Sequence, residues 1–278
     1  MGVVSYPKPC GLIALLTDFG LEDPYVAAMK AVGYSVCNDI NIVDITHNVN
    51  SYDVESAALI LYMVYKYFPR GTIFVAVVDP GVGSDRKAIA IATKNYIFIG
   101  PDNGVLIPAA KSDGIMDIRL LENNSYFRKP VSRSFHGRDI FMPVASYLAC
   151  GSSFENLGRS IDITSITYID IGIGYSEFRD KCVLLKVVNI DKFGNIMLSL
   201  HFENLSQLLN LNIGTDVRVY SQDDMFIAKT ERTFSVVPKG VLVLYENSFG
   251  LAELAVNQGS AKDFLKVAKG SVLKICKD

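Results

Sequence analysis

Thr72-Ile73-Phe74-Val75-Ala76-Val77-Val78, followed at once by Asp79-Pro80-Gly81-Val82-Gly83, is the stretch that decides how the chain folds. A short run of β-branched and apolar residues without polar alternation reads as a strand buried on both faces, and proline and glycine then end it. Upstream, Leu12-Ile13-Ala14-Leu15-Leu16-Thr17 is a second run of this kind, ending at Asp18-Phe19-Gly20. Asp23-Pro24 supplies an N-cap with proline at N1 for a helix to about Cys37, and Ile42-Val43-Asp44-Ile45 is a strand. From Asp53 to Phe68, apolar residues at 54, 57, 58, 61, 64 and 68 mark one helical face that stops at Phe68-Pro69-Arg70-Gly71. This strand, helix, strand rhythm predicts an α/β fold: a mainly parallel sheet covered by helices.

Farther on, Ala88–Ala92 and Tyr96–Ile99 read as strands, the second leading into Gly100-Pro101-Asp102-Asn103-Gly104. A helix is expected from about Ile140 to Cys150, stopping at Gly151. Pro143 fits only near its first turn, which leaves His136 and Gly137 in the loop that feeds it. After Gly172-Ile173-Gly174 the texture changes. Val183–Ile190 and Asn195–Leu200 flank Asp191-Lys192-Phe193-Gly194 as a hairpin, and short strands recur near 216–220, 226–230, 240–245, 252–256 and 272–276. Short, regularly spaced strands predict a small barrel or sandwich. The expected domains are 1–178, α/β, and 179–278, all β.

Half of the 278 residues are apolar, enough for a large core. The longest apolar runs, such as Ile73–Val78 and Ala57–Val64, are far shorter than the ~20 residues of a spanning helix. No charged segment followed by an apolar one opens the chain, so a secretory signal is not expected. Cys10, Cys37, Cys150, Cys182 and Cys276 are odd in number and form no metal-type spacing, and read as reduced thiols of a cytoplasmic protein. Lys and Arg (27) nearly balance Asp and Glu (29), without a basic run interleaved with aromatics, so no nucleic-acid partner is expected.

In open parallel sheets, ligands sit beyond the carboxyl ends of the strands, where Asp18 and Asp79 fall. Asp79-Pro80-Gly81-Val82-Gly83 is either a strand-exit turn capped by Asp79 or a turn whose glycines let backbone approach a ligand. It is not a phosphate loop, because no Gly-Lys-Ser/Thr follows. Arg86 lies across that turn, within reach of Asp79 as a structural ion pair or as part of a site. His136, one of three histidines, stands in Ser134-Phe135-His136-Gly137-Arg138-Asp139 and either satisfies local backbone or does chemistry. His47 falls at a plausible cleft edge, and His201 at a strand end with nothing catalytic nearby. Asp18 is either a helix cap or a carboxylate that accepts two ribose hydroxyls.

With these segments in view, the chain resembles the S-adenosyl-L-methionine hydroxide adenosyltransferases, hydrolase relatives of the fluorinases and chlorinases. The resemblance rests on Leu16-Thr17-Asp18-Phe19-Gly20, Thr46-His47 through Asp53-Val54, Phe68-Pro69-x-Gly71-Thr72, Val77–Gly83, Gly100–Gly104, Phe135–Asp139, Asp191-x-Phe193-Gly194-Asn195 and Asn247-Ser248-Phe249-Gly250, in order. It implies an α/β domain followed by a small β-barrel, a homotrimer with sites at subunit interfaces, and cleavage of S-adenosylmethionine into adenosine and methionine without a cofactor or metal. By the same resemblance, Asp79, Arg86 and His136 would be catalytic, and Asp18 would hold the ribose. Tyr52 would pack on the substrate, Phe135 and Gly137 would line it, and Asp191 would meet the methionine ammonium. Phe193, Asn195 and Phe234 would surround the adenine, and Ser248 would bind the methionine carboxylate.

The chain also departs from its halogenating relatives. They carry Tyr-Pro where it has Asp79-Pro80, and Tyr-Ser where it has His136-Gly137; an anionic Asp79 would repel a desolvated halide. Asn48-Val49-Asn50-Ser51 departs from the proline-containing loop usual before Tyr52. Halide-dependent cleavage and a non-catalytic adenosine or S-adenosylmethionine binding protein are the competing expectations. A methyltransferase is set aside for want of that class's glycine-rich first loop.

Overall fold

The first strand, β1 (Leu12–Thr17), divides its side chains between two cores. Ile13 and Leu15 pack with Met29, Val144, Ala145 and Leu148, whereas Ala14 and Leu16 pack with Ala57, Leu61, Ala109 and Ala110. A strand covered on both sides has no polar face, which is why its sequence is an unbroken apolar run. The computed structural model describes residues 6–277. Two compact units part between Ile171 and Gly172.

In the first unit the strands are β1, β2 (Asn41–Thr46), β3 (Ile73–Val77), β4 (Ala88–Thr93), β5 (Ile97–Pro101) and β6 (Ile115–Leu120), and the helices are α1 (Tyr25–Val36), α2 (Val54–Val64), α3 (Ile107–Asp113) and α4 (Met142–Ala149). The sheet order is β2-β1-β3-β5-β4-β6. The first four are parallel, as expected from the buried runs, and β4 runs antiparallel to both its neighbours. Side chains of α1 and α4 fill one core, and those of α2 and α3 the other. Gly33 lets α1 approach α4, because a Cβ there would collide with Met142. The chain leaves β1 through α1 to one side and then returns through α2 to β3 on the other. The crevice beyond the ends of β1 and β3 is therefore the topological switch point, where such sheets bind ligands.

Local details differ from expectation for identifiable reasons. Helix α1 starts at Tyr25 with Pro24 at the N-cap, and Asp23 makes no cap bond to it. Asp53 does cap α2, accepting from Ser56 N–H, but the helix gives way to a 3₁₀ turn (Tyr65–Tyr67) before Pro69. A π-helical turn (Gly137–Phe141) precedes α4, so Gly137 is already helical and His136 stands at its N-cap rather than deeper in a loop. Pro143 sits where the π-helical turn passes into α4, and the Asp139 carbonyl that an N–H at 143 would have met accepts from Arg128 N–H instead.

The second unit contains β7 (Glu177–Arg179), β8 (Cys182–Ile190), β9 (Ile196–His201), β10 (Asp216–Ser221), β11 (Asp224–Thr230), β12 (Leu242–Glu246), β13 (Leu251–Val256) and β14 (Val272–Cys276), with helices α5 (Phe202–Leu209) and α6 (Ala261–Leu265). Pairing of β14 with β8 closes a barrel of seven strands, β8-β14-β10-β11-β12-β13-β9, to which β7 adds a short hairpin partner. Closure decides for a barrel over a sandwich. Leu205, Leu209, Ala261 and Leu265 of the two helices join its core.

The expectation of five reduced thiols is overturned. Cys37 pairs with Cys150, joining the ends of α1 and α4, and Cys182 pairs with Cys276 across the seam of the barrel. Cys10 alone is free among the described residues. Pairs separated by 113 and 94 residues leave no local spacing to read. Among the described residues no helix is long and apolar enough to cross a membrane. Thiol titration of the unreduced protein should find one reactive cysteine, and reduction should lower the unfolding free energy by about 2–4 kcal/mol per bridge. Five thiols without reduction would contradict the pairing.

Candidate active site

Asp79 follows β3 at the switch point, and the turn after it brings Arg86 back against it. Arg86 Nε lies 3.1 and 3.0 Å from the two Asp79 oxygens, and Nη2 lies 2.5 Å from Oδ2. The other Nη2 proton points at His136 Nδ1, 2.8 Å away. A guanidinium only donates, so Nδ1 must accept, and the imidazole is neutral with its proton on Nε2. Burial pushes the His136 pKa below the usual 6.5, and the Arg86 charge adds to this against Asp79 and Asp139. The guanidinium also lies over the Phe141 ring at 5.2 Å.

The backbone fixes these positions. Val82 N–H donates to the Asp79 carbonyl at 3.2 Å, and Ser84 Oγ–H to the Gly81 carbonyl at 2.6 Å, closing the turn. Gly83 has φ +79°, and a Cβ there would collide with the Arg133 carbonyl oxygen. On the other side Asp139, fully buried, gathers residues 128–139. It accepts from Ser132 N–H at 2.8 Å and from Arg138 at 2.7 and 2.8 Å, with Arg128 at 3.4 Å. Burial raises the Asp139 pKa, but these donors outweigh it and hold the carboxyl below its ordinary value.

A cavity of about 410 Å³ opens over the crevice. Of the expected residues, Asp18, Tyr52, Asp79, Phe135, His136 and Gly137 line it, whereas Arg86 stands behind Asp79 and His136 rather than in the wall. Asp18 Oδ2 accepts from Tyr52 N–H at 2.9 Å, and Tyr52 is 72% exposed with φ +69°. Phe135 was expected here, but its aromatic neighbours Phe19 and Tyr25 were not. Phe19, Tyr25 and Phe135 meet with ring centroids 5.4–5.9 Å apart, the first two from the stretch that follows β1 and the third from the turn before α4. Asp23, Ser51, Val77, Val82 and Ser134 also line the cavity without having been assigned to it from sequence.

The second unit carries its own cleft, about 450 Å³, lined by Phe193, Asn195, Phe234 and the 256–259 segment. The last of these had no sequence signal. Asp191 organises the hairpin turn, its Oδ1 accepting from Phe193 and Asn195 N–H at 2.9 Å each, and its Oδ2 from Asn195 Nδ2 at 3.0 Å. Ser248 lies outside this cleft's lining, on a turn in which Asn247 Oδ1 accepts from Phe249 and Leu251 N–H. Glu253, also unforeseen, is buried and accepts from Tyr245 O–H and from Asn247 Nδ2. Burial and the Asp191 charge raise its pKa. His201 bonds only the Gly250 carbonyl among its described partners, consistent with a structural place.

The SAM hydroxide adenosyltransferase N-terminal domain matches residues 13–158, and the C-terminal domain of the same family matches residues 185–274. The chain belongs to the S-adenosyl-L-methionine hydroxide adenosyltransferase family. Proteins named (R)-S-adenosyl-L-methionine hydrolase from Salinispora arenicola and Thermus thermophilus are each 34% identical to this family member, across 95% of it and 97% and 98% of their own lengths. A fluorinase of Actinopolyspora mzabensis is 25% identical over 92% of the chain and 93% of its own. The crystal structure of a conserved protein from Thermotoga maritima superposes with a TM-score of 0.90 at 37% identity, covering 95% of this chain and all of that one.

The glycine at 83 is the position most exposed to a simple test. Gly83→Ala should destabilise the protein by at least about 1–3 kcal/mol in urea unfolding, from left-handed backbone strain together with collision of the new Cβ with the Arg133 carbonyl. An unchanged midpoint would contradict the close approach of this turn to Arg133.

Proposed function

We propose that the chain hydrolyses S-adenosyl-L-methionine to adenosine and L-methionine, an oxygen derived from water attacking C5′ in line with the departing sulfur. The contact between Arg86 Nη2 and His136 Nδ1 is the observation that carries this reading. It leaves His136 Nε2–H as a donor on a residue that lines the cavity, where a nucleophilic oxygen needs holding. Both Asp79 oxygens are engaged by Arg86 and Nδ1 is occupied, so the trio offers a donor rather than a free base. The nucleophile is then best described as hydroxide, favoured by the cationic Arg86 behind it. The O–C5′ bond forms as the C5′–S bond breaks, its electron pair neutralises the sulfonium, and the proton lost by water goes to solvent. Sulfur leaves neutral, so no general acid, metal or cofactor is required.

Asp18 holds the ribose hydroxyls in this reading, while Tyr52, Phe135 and Gly137 shape the pocket around the reacting end. Phe193, Asn195 and Phe234 receive the adenine, which suits a cleft with two aromatic rings and an amide. Asp191 and Ser248 receive the ammonium and carboxylate of the methionine part. The protein acts as a homotrimer with sites at subunit interfaces. The cytoplasmic placement expected from reduced thiols loses that ground, because four of the five cysteines are paired.

Purified protein given S-adenosylmethionine should release adenosine and methionine at the same rate with or without chloride. A chlorinated nucleoside would favour the halide reading, and binding without turnover the binding-protein reading. Asp79→Ala and His136→Ala should each lower kcat about 10²–10³-fold with ligand binding largely kept; wild-type turnover in Asp79→Ala would sink the catalytic assignment.

The sign of the pH dependence follows from His136. Its folded pKa lies below 6.5, so acidification through that lowered value puts a proton on Nδ1 facing the Arg86 donor. Turnover should fall on an acid limb with its midpoint below 6.5, and the stability contributed by neutral His136 should be lost as pH drops below the unfolded value. A rate that rises as pH falls through this range would contradict the tautomer.

A further inference from the structure

Thr17, His47 and Asp44 form a connected chain that lines no part of the cavity yet ends against the residue before Asp18. Thr17 and His47 are buried, with Oγ1 and Nδ1 2.8 Å apart. His47 Nε2 lies 3.0 Å from Asp44 Oδ1, close enough for electrostatic attraction though the N–H is not aimed along the line. Asp44 Oδ2 in turn accepts from Lys30 Nζ at 2.6 Å. Burial raises the Asp44 pKa, but the Lys30 and His47 contacts outweigh it and keep the carboxyl below its usual range. The carboxylate draws the imidazole proton to Nε2. Nδ1 is then the acceptor, and Thr17 O–H donates to it.

This orientation leaves the Thr17 oxygen as an acceptor for Phe19 N–H, 3.2 Å away. The His47 main-chain carbonyl meanwhile accepts from Gly20 N–H at 2.8 Å. Residue 47 thus ties the 17–20 loop on both sides of Asp18: its side chain through Thr17 and Phe19, its backbone through Gly20. Asp18 is left with Oδ2 accepting from Tyr52 N–H, and its carboxylate faces the cavity. A hydrogen bond to a diol is sensitive to a displacement of a few tenths of an ångström. A loop without these ties would let the carboxylate drift.

We infer that His47 is a positioning residue for the ribose end of the substrate, fixing the 17–20 backbone so that Asp18 meets the 2′- and 3′-hydroxyls. The inference rests on the reading of Asp18 given above. It is distinct from catalysis, since His47 touches neither the cavity nor the Asp79, Arg86 and His136 trio.

Calorimetric binding of adenosine and 2′-deoxyadenosine to the full-length protein tests it without depending on turnover. The wild type should prefer adenosine by about tenfold or more, the worth of one well-placed hydrogen bond to a charged group. His47→Leu and the near-isosteric Thr17→Val should both reduce that preference to below about threefold, by weakening adenosine while leaving 2′-deoxyadenosine nearly unchanged. His47→Asn, whose amide reaches about where Nδ1 stands, should keep most of it. A wild type that does not discriminate would overturn the Asp18 reading and the inference with it, whereas a preference carried intact through His47→Leu and Thr17→Val would overturn the inference alone. A general packing defect would weaken both nucleosides alike and would also count against it. Failure of the hydrolase reading is seen separately, as absence of S-adenosylmethionine turnover in the wild type.

Discussion

Arg86 has donors and no acceptor, so each neighbour that it keeps must present a lone pair. Asp79 does so as an anion, and His136 can do so only through an unprotonated Nδ1. From that single restriction follow the tautomer of His136, the direction of its remaining N–H, and the lack of a free base in the trio. The restriction also reaches into the fold. Asp79 rides on the end of β3 and His136 on the turn before α4, so the two must be held at a fixed separation by everything between them. Gly83 against Arg133 and the buried Asp139 at the hub of residues 128–139 do this from opposite sides.

Such an arrangement is costly for stability. Taking Asp79 and Arg86 out of water forfeits hydration that their mutual attraction returns only where the geometry is good. Here the carboxylate and guanidinium meet through three short contacts with side chains only 5% and 11% exposed, and the Phe141 ring faces the cation. The doubly covered sheet supplies the rigidity on which this depends. With cores on both faces, β1 and β3 cannot move independently, and the loops that follow them inherit their register.

Much of this was legible in the sequence because the signals were local. Unbroken apolar runs gave the parallel strands, and spaced short strands gave the second unit. Proline and glycine turns marked Asp79 and His136 as residues at element ends. What could not be read was non-local. The reversal of β4 leaves no mark on Ala88–Thr93, whose apolar run suits either direction. In the aromatic wall Phe135 meets Phe19 and Tyr25 from the far end of the first unit, and the Thr17–His47 contact joins residues 30 apart. The two disulfides lay out of reach for the same reason. Glu253 was invisible because a lone glutamate in Leu251–Val256 gives no hint that it is buried beneath Tyr245 and Asn247.

The central claim is that an oxygen from water, held by His136 with Arg86 behind it, becomes the 5′-oxygen of the nucleoside. Reaction in oxygen-18 water, followed by mass spectrometry of both products, tests it directly. One labelled atom in adenosine, located at C5′, with unlabelled methionine, is the predicted result. Release of free adenine, or label on the amino-acid product instead of the nucleoside, would contradict attack at C5′.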